Sequence, residues 1–306
     1  GQPKDEKKAL QLAEEALEEG LEDMAYGDEH PDNVRADALY HLAGLYNAGL
    51  SFAKDEEQAI ELVKQAAELG NVEALCELSM VAEGVEETEE LLRRAVNIDP
   101  KSGVANSSLG RHLLNIAQTD PALNMERRKE LISESVKRLE VAANQDDAEA
   151  CSQLGELLWQ GKSVRRDMGM AATCFSKAVK KGQPHAIYRL GLMMMEGEGV
   201  NTGPDPLRGI ELIKMAANLE YLPAVTALGE FLLTGLKITE AQAASAGKPS
   251  AAGQYIVPPN PQQAIGLLTT AAQGGEAQAI FQLGVIMLNQ PTEGEDACAD
   301  CEAGKM

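Results

Sequence analysis

The stretch Ala186-Ile-Tyr-Arg-Leu190-Gly191-Leu-Met-Met-Met195-Glu-Gly197-Glu-Gly199-Val200, followed by Asp205 and Ala216-Ala217, decides how this chain is read. Ala186, Leu190 and Met194 recur in steps of four, which assigns them to the buried face of one helix. Gly191 has no Cβ, so a second helix can approach its backbone closely. Gly197 to Val200 ends the helix, because glycine tolerates the positive φ of a C-terminal cap. Asp205 is a good N-cap for the next helix. Ala216 and Ala217 give that helix small side chains for tight packing. The expectation is a helical hairpin.

The same frame recurs along the chain. Ala38, Ala74, Ala105, Ala150, Ala186, Ala224 and Ala279 lead seven first helices, at spacings of 36, 31, 45, 36, 38 and 55 residues. Leu109-Gly110, Leu154-Gly155, Leu228-Gly229 and Leu283-Gly284 repeat the Leu-Gly pair, and Asp55 and Asp167 repeat the cap. The Ala74 unit lacks the glycine-rich loop, and the Ala105 unit has a longer connection around Gln118–Met125. One hairpin cannot bury its apolar face alone, so the units must stack. The frame Ala-x3-Leu-Gly…Gly-x-Gly-Val…Asp-x3-Ala…Ala-Ala resembles the Sel1-like repeat family, relatives of the tetratricopeptide repeats, over roughly residues 1–290. Leu91 to Pro100 looks more like a tetratricopeptide second helix. The resemblance implies an all-α, right-handed α/α superhelical solenoid of about seven hairpins, without a sheet, that scaffolds other proteins.

Composition agrees with helices. Aromatic residues make up 4% of the 306 residues, too few for a β-sandwich. The formal charge is −21 and the pI is near 4.6, which disfavours binding to nucleic-acid phosphate or to an anionic membrane surface. No run of 18 apolar residues occurs, so direct membrane insertion is not expected. No signal peptide is visible in Gly1–Leu10, and a leader removed earlier is compatible with that. The five cysteines, Cys76, Cys151, Cys174, Cys298 and Cys301, are odd in number and widely spread. Such usage points to a reducing compartment, the cytoplasm or an organelle interior.

Gly1 to Asp5 reads as the loop before a second helix and Ala9 to Gly20 as that helix. The chain is therefore expected to be a fragment, or to carry an acidic half-repeat as a cap. Residues 237–261 interrupt the Ala224 unit and read as an irregular insertion, either a mobile surface loop or a partner-contact arm anchored by Tyr255, Ile256 and Val257. Residues 291–306 read as a flexible acidic tail. The acidic runs Glu14–Asp23 and Glu83–Glu90 read as solvated helix surface or as a docking patch for a basic partner.

The search for chemistry ends without a site. His30, His41, His112 and His185 are far apart and show no metal-ligand spacing. Gly197-x-Gly199 lacks the third glycine and the preceding strand of a nucleotide fingerprint. Ser245-Ala-Gly-Lys248 matches Ser-x-x-Lys but has no companion motifs. Cys298-Ala-Asp-Cys301 is a single pair, read as incidental, as a redox switch or as half of an intermolecular metal site. No catalytic residue, metal or cofactor is nominated.

By analogy with tetratricopeptide repeats, the third, seventh and tenth positions after each leading alanine line the concave face. Trp159, Tyr188, Leu192, Met195, Leu233, Phe281, Val285 and Leu288 fall there and make an apolar partner-binding set, with Glu156 and Glu230 as an acidic rim. The competing reading buries these residues by curvature or under the insertion. The function expected is a non-enzymatic scaffold or adaptor for a protein or peptide segment within a larger complex. The alternative is a regulatory or substrate-presenting module cut from a longer enzyme or degradation component. A small-molecule ligand is disfavoured.

Overall fold

Helices begin where capping side chains stop the chain. In the computed structural model, which describes residues 31–48, 56–200, 203–245 and 252–288, seven helix starts have the same geometry. The Oδ1 of Asn71 accepts from the Ala74 N–H at 2.7 Å, that of Asp147 from Ala150 at 2.7 Å and that of Asp167 from Met170 at 2.9 Å. Ser102, Asn124, Asp205 and Asn260 accept in the same way from the N–H three residues on. Each bond satisfies a donor that the helix itself cannot. Pro184, Pro206 and Pro261 occupy the first turn, where a missing N–H costs nothing. Asp55 lies outside the described residues.

The chain divides into two compact units, Gly1–Arg165 and Arg166–Met306. The first holds α1 (Pro31–Ala48), α2 (Glu56–Glu68), α3 (Val72–Val81), α4 (Val85–Ile98), α5 (Gly103–Thr119), α6 (Met125–Asn144) and α7 (Ala148–Gln160). Consecutive helices pack against one another around Leu75, Leu92, Leu109 and Leu113. The second unit holds α8 (Met168–Lys180), α9 (Pro184–Glu196), α10 (Pro206–Asn218), α11 (Leu222–Thr234), β1 (Leu236–Lys237), α12 (Glu240–Ser245), β2 (Tyr255–Val257), α13 (Pro261–Gln273) and α14 (Ala277–Leu288). Its core runs through Ile187, Ile210, Ile213, Ala224 and Ala264, and a smaller cluster joins Val225, Leu268, Ala271 and Ala279. The first helices are α1, α3, α5, α7, α9, α11 and α14. Their leading alanines from Ala74 to Ala279 are fully buried.

The residue after the repeat leucine sets the distance between helices. A Cβ on Gly110 would lie 2.9 Å from Leu139 Cγ, one on Gly191 2.9 Å from Ile213 Cγ1, and one on Gly229 2.9 Å from Leu268 Cγ. Gly191 also faces the backbone oxygen of Gly209 at 3.0 Å, so α9 and α10 cross backbone on backbone. The Ala38 and Ala74 units place Ala43 and Ser79 at the same point, both small and buried.

Two expectations are corrected. The apolar face of α9 runs through Ala186, Leu190 and Met193, and Met194 is half-buried. At 100° per residue, seven positions return to within about 20° of the start, while eight overshoot by about 80°. The insertion is not irregular throughout, and a small sheet is present. Leu236 pairs with Val257 and Lys237 with Tyr255 in an antiparallel two-stranded ribbon. Between the strands, the Thr239 N–H donates to Gln242 Oε1 at 2.9 Å, and the Gln242 N–H donates to Thr239 Oγ1 at 3.2 Å. This reciprocal capping box starts α12. Val257 and Ala243 are buried. The β-branched and aromatic run Tyr255-Ile-Val suits a strand once a partner strand is available. Residues 246–251 lie outside the described residues.

Two substitutions test this packing. Gly191→Ala should destabilise the chain by roughly 1–3 kcal/mol, because both neighbours of the new methyl are close and one is backbone. Glu220, exposed after α10, has φ of 59°, where the second helices α2, α8 and α13 end in Gly70, Gly182 and Gly275 with φ of 94°, 78° and 87°. Glu220→Gly should therefore raise stability by roughly 1 kcal/mol. Denaturant melts of both variants read the two signs.

Candidate functional site

Three first helices of the second unit meet on one surface around Glu230. On α11, the Glu230 Oε1 accepts from Gln282 Nε2 at 2.9 Å and from Gln278 Nε2 at 3.2 Å, both on α14. On α9, burial raises the pKa of the Tyr188 phenol, the Arg189 charge lowers it, and the charges of Glu230 and Glu276 raise it further. Tyr188, Glu230 and the start of α14 are therefore electrostatic neighbours. The Tyr188 ring tilts against Tyr221 at 5.7 Å between centroids, and Tyr221 meets His185 edge to face at 6.1 Å. These rings pack against Tyr188, which is half-buried.

The residues named from sequence divide on this surface. Phe281 is 64% exposed and Leu288 is exposed as well, while Tyr188, Leu192 and Val285 are half-buried. Leu233 is half-buried and packs against both clusters of the second unit. Met195 is a core residue at 9% exposure. Gly209 leaves room for its Cγ, and Gln242 Nε2 from the insertion donates to its carbonyl at 3.0 Å. Trp159 belongs to α7 in the first unit and is half-buried. Of the three insertion residues, Val257 is part of the core, Ile256 packs against it, and Tyr255 is exposed with Lys237 Nζ 4.6 Å from its ring centre. The insertion thus covers part of the apolar set itself.

A second concavity lies in the first unit. A cleft of about 350 Å³ between α1, α2 and α3 is lined by Tyr40, Asn47, Ile60, Glu77 and Val81 among others. Ile60 and Val81 are exposed apolar residues. Ile60 interrupts the otherwise polar outer face of α2, Glu56, Glu57, Glu61 and Lys64, and that break was the available sequence signal. Tyr40 is hydrogen-bonded to Glu77; burial first, and then the Glu77 charge, push its pKa up.

Chemistry beyond contact has little support among the described residues. No cluster of three His, Cys, Asp or Glu side chains that could hold a metal occurs there, and no helix there is long and apolar enough to cross a membrane. Cys76, Cys151 and Cys174 are buried, and burial pushes the Cys76 pKa up to about 11. Cys298, Cys301, the Glu14–Asp23 run and the tail lie outside the described residues.

The core role of Met195 and the surface role of Phe281 separate by mutation. Met195→Ala should cost roughly 2–5 kcal/mol, as for other buried large-to-small changes. Phe281→Ala should stay within about 0.5 kcal/mol of the parent. Chemical denaturation of the two variants checks the difference.

Comparison with known proteins supplies the context. The Sel1 repeat family model matches residues 1–21, 36–71, 148–183, 184–221 and 239–276. A curated relative, chitin synthase regulatory factor 3 of Schizosaccharomyces pombe, is 34% identical over 89 residues. That match spans 29% of this chain and 9% of the relative's length. The crystal structure of a Sel1 repeat protein from Oxalobacter formigenes superposes with a TM-score of 0.57 at 19% identity, covering 89% of this chain and 100% of that one. A protective antigen of uropathogenic Escherichia coli displaying an SLR fold gives a TM-score of 0.45 at 18% identity, over 97% of this chain and 69% of that one.

Proposed function

Because the chain belongs to the Sel1 repeat family, we propose that it is a non-catalytic adaptor that holds a protein segment on the Glu230-centred surface of its second unit. The single observation that carries this reading is the convergence of α9, α11 and α14 there. Tyr188 feels the charge of a carboxylate that Gln278 and Gln282 orient, and the exposed Phe281 lies between those two glutamines on α14. Aromatic groups beside a fixed negative charge suit a segment with an apolar anchor next to Lys or Arg. Leu192, Val285 and Leu288 extend the apolar part. Met195, Leu233 and Val257 support it from below. The net charge of −21 weighs against nucleic acid as the partner and for a basic protein segment. The odd number and wide spread of the five cysteines fit a reducing compartment.

Selection of peptides from a displayed random library against the full chain tests the proposal. The expected winners pair an apolar residue with a neighbouring Lys or Arg. Tyr188→Ala and Phe281→Ala should each weaken their binding by about 1–2 kcal/mol. Glu230→Lys should remove the preference for basic residues. Winners whose binding ignores all three changes would overturn the assignment of this surface.

A second reading is that the chain is a regulatory or substrate-presenting module of a longer enzyme or degradation component. The observation in its favour is the 89-residue likeness to a segment of a protein named as a regulatory factor. The intact mass of the native protein in its source separates the two: a mass well above 32.7 kDa supports the module reading.

A further inference from the structure

A cleft of about 410 Å³ opens in the second unit between α10, α11, β2 and the start of α13. It is separate from the Glu230 surface. Leu228 and Leu232 of α11 form part of its wall, and at 100° per residue both stand about 160° around that helix from Glu230. Ile256 and Val257 of the insertion supply the rest of the apolar wall. Leu232 and Val257 are buried, while Leu228 and Ile256 are half-buried. The cleft is held in shape by the return of the insertion, where the Asn260 N–H donates to the Leu232 oxygen at 2.7 Å. Clefts of this size with an apolar wall and a few polar groups take small organic molecules.

The polar lining selects the charge of the occupant. Lys214 and Asn218 stand one turn apart on α10, and Asn260 and Gln263 lie at the start of α13. No carboxylate lines the cleft, although the chain has 48 acidic residues against 27 basic ones. Hollows in the first unit differ: Glu56 and Glu77 line the one between α1, α2 and α3, Glu86, Glu89 and Glu90 the one on α4, and Glu126, Glu130 and Glu134 the one on α6. The Asn260 side chain is committed to the helix cap, with Oδ1 accepting from the Gln263 N–H at 3.2 Å and Nδ2 donating to Gln263 Oε1 at 3.4 Å. That leaves Gln263 Nε2, the Asn218 amide and the Lys214 ammonium as donors. The ion pairs among the described residues join other side chains and leave Lys214 out. At physiological salt, charges more than about 8 Å away are screened, so this lining outweighs the net charge of the chain.

We infer that the cleft binds a free monocarboxylic acid with a compact apolar body. The hydrocarbon part lies against Leu228, Leu232, Ile256 and Val257, and the carboxylate accepts from Lys214, with Asn218 and Gln263 as further donors. The carboxylate end of a protein chain has the same charge, but its peptide groups would lose water against four apolar side chains, where a hydrocarbon tail gains from the contact.

Titration of the full chain with octanoate, followed by the methyl resonances of Leu228, Leu232, Ile256 and Val257, tests the inference. Those methyl signals should move together and saturate at up to about 5 mM octanoate. Octanamide, of the same length and without charge, should bind at least about tenfold more weakly. Lys214→Met should weaken octanoate binding at least about tenfold, whereas Lys101→Met, the same change of charge in the first unit, should leave it within about twofold. Lys214 and Lys101 are both exposed, so the helical circular dichroism of each variant should match the parent. Absence of saturable shifts at these methyl groups, equal binding of octanamide, or equal loss in both lysine variants overturns the inference. Tighter binding of N-acetyl-leucyl-leucine than of octanoate at the same methyl groups overturns it as well, in favour of a chain end.

Discussion

At three helix crossings the backbone of one helix carries no Cβ, and a Leu or Ile of its neighbour sits about where a substituent would be. Gly110 meets Leu139, Gly191 meets Ile213, and Gly229 meets Leu268. This contact decides how near the second helix comes, and so whether the small residues around it touch. The alanines three residues beyond those side chains, Ala142, Ala216 and Ala271, are fully buried, as are the leading alanines of the first helices. Alanine loses little side-chain entropy on burial, and its gain comes from close contact. A wider crossing would leave voids along every alanine row. At Gly110 the approach also brings Ser135 Oγ within 2.6 Å of the glycine carbonyl, to which it donates. A buried hydroxyl is satisfied there without a water.

Because the alanine rows and the crossings close the core, the outer positions of the first helices are relieved of packing duty, but unequally. On α9 the face is shared, and Met195 is drawn inward because Gly209 on α10 opens a space beside it. On α14 the corresponding positions stay outside. Glu230 shows how polar groups organise such a surface. Its carboxylate takes two amide donors from the next first helix, which orients the charge and ties α11 to α14 without a buried ion pair. Hydrogen bonds from neutral amides keep the charge available to an incoming cation, whereas a neighbouring Arg would neutralise it.

The insertion shows how a repeat absorbs extra chain. The two strands keep its ends together, with the Ile238 N–H donating to the Gln254 oxygen at 2.9 Å and the Gly253 N–H to the Ile238 oxygen at 2.8 Å. The Asn260 N–H then donates to the Leu232 oxygen at 2.7 Å, and the Asn260 side chain caps α13, so the second helix starts in register with its partner α11. The detour leaves the Gly229–Leu268 crossing intact. Loop-closure entropy grows slowly with length, so a detour that returns both ends to the same place costs little in stability.

The repeat, its helical class, its capping aspartates and its glycine crossings were legible in the sequence, because each depends on local chemistry at fixed spacing. Asp167 and Asp205 cap helices by reaching three residues along the chain, and Gly191 is small whatever surrounds it. The fate of the outer side chains was not legible. Met195 and Phe281 are the tenth and third residues of equivalent frames, both apolar, yet one is core and the other surface. The difference lies in what faces them: a glycine of another helix and an amide from the insertion in one case, and no covering helix among the described residues in the other. The Tyr255-Ile-Val strand likewise has meaning only beside Leu236-Lys237, about twenty residues away. Local spacing specifies which helices form and how near they come, and tertiary contact alone decides which of their faces water still reaches.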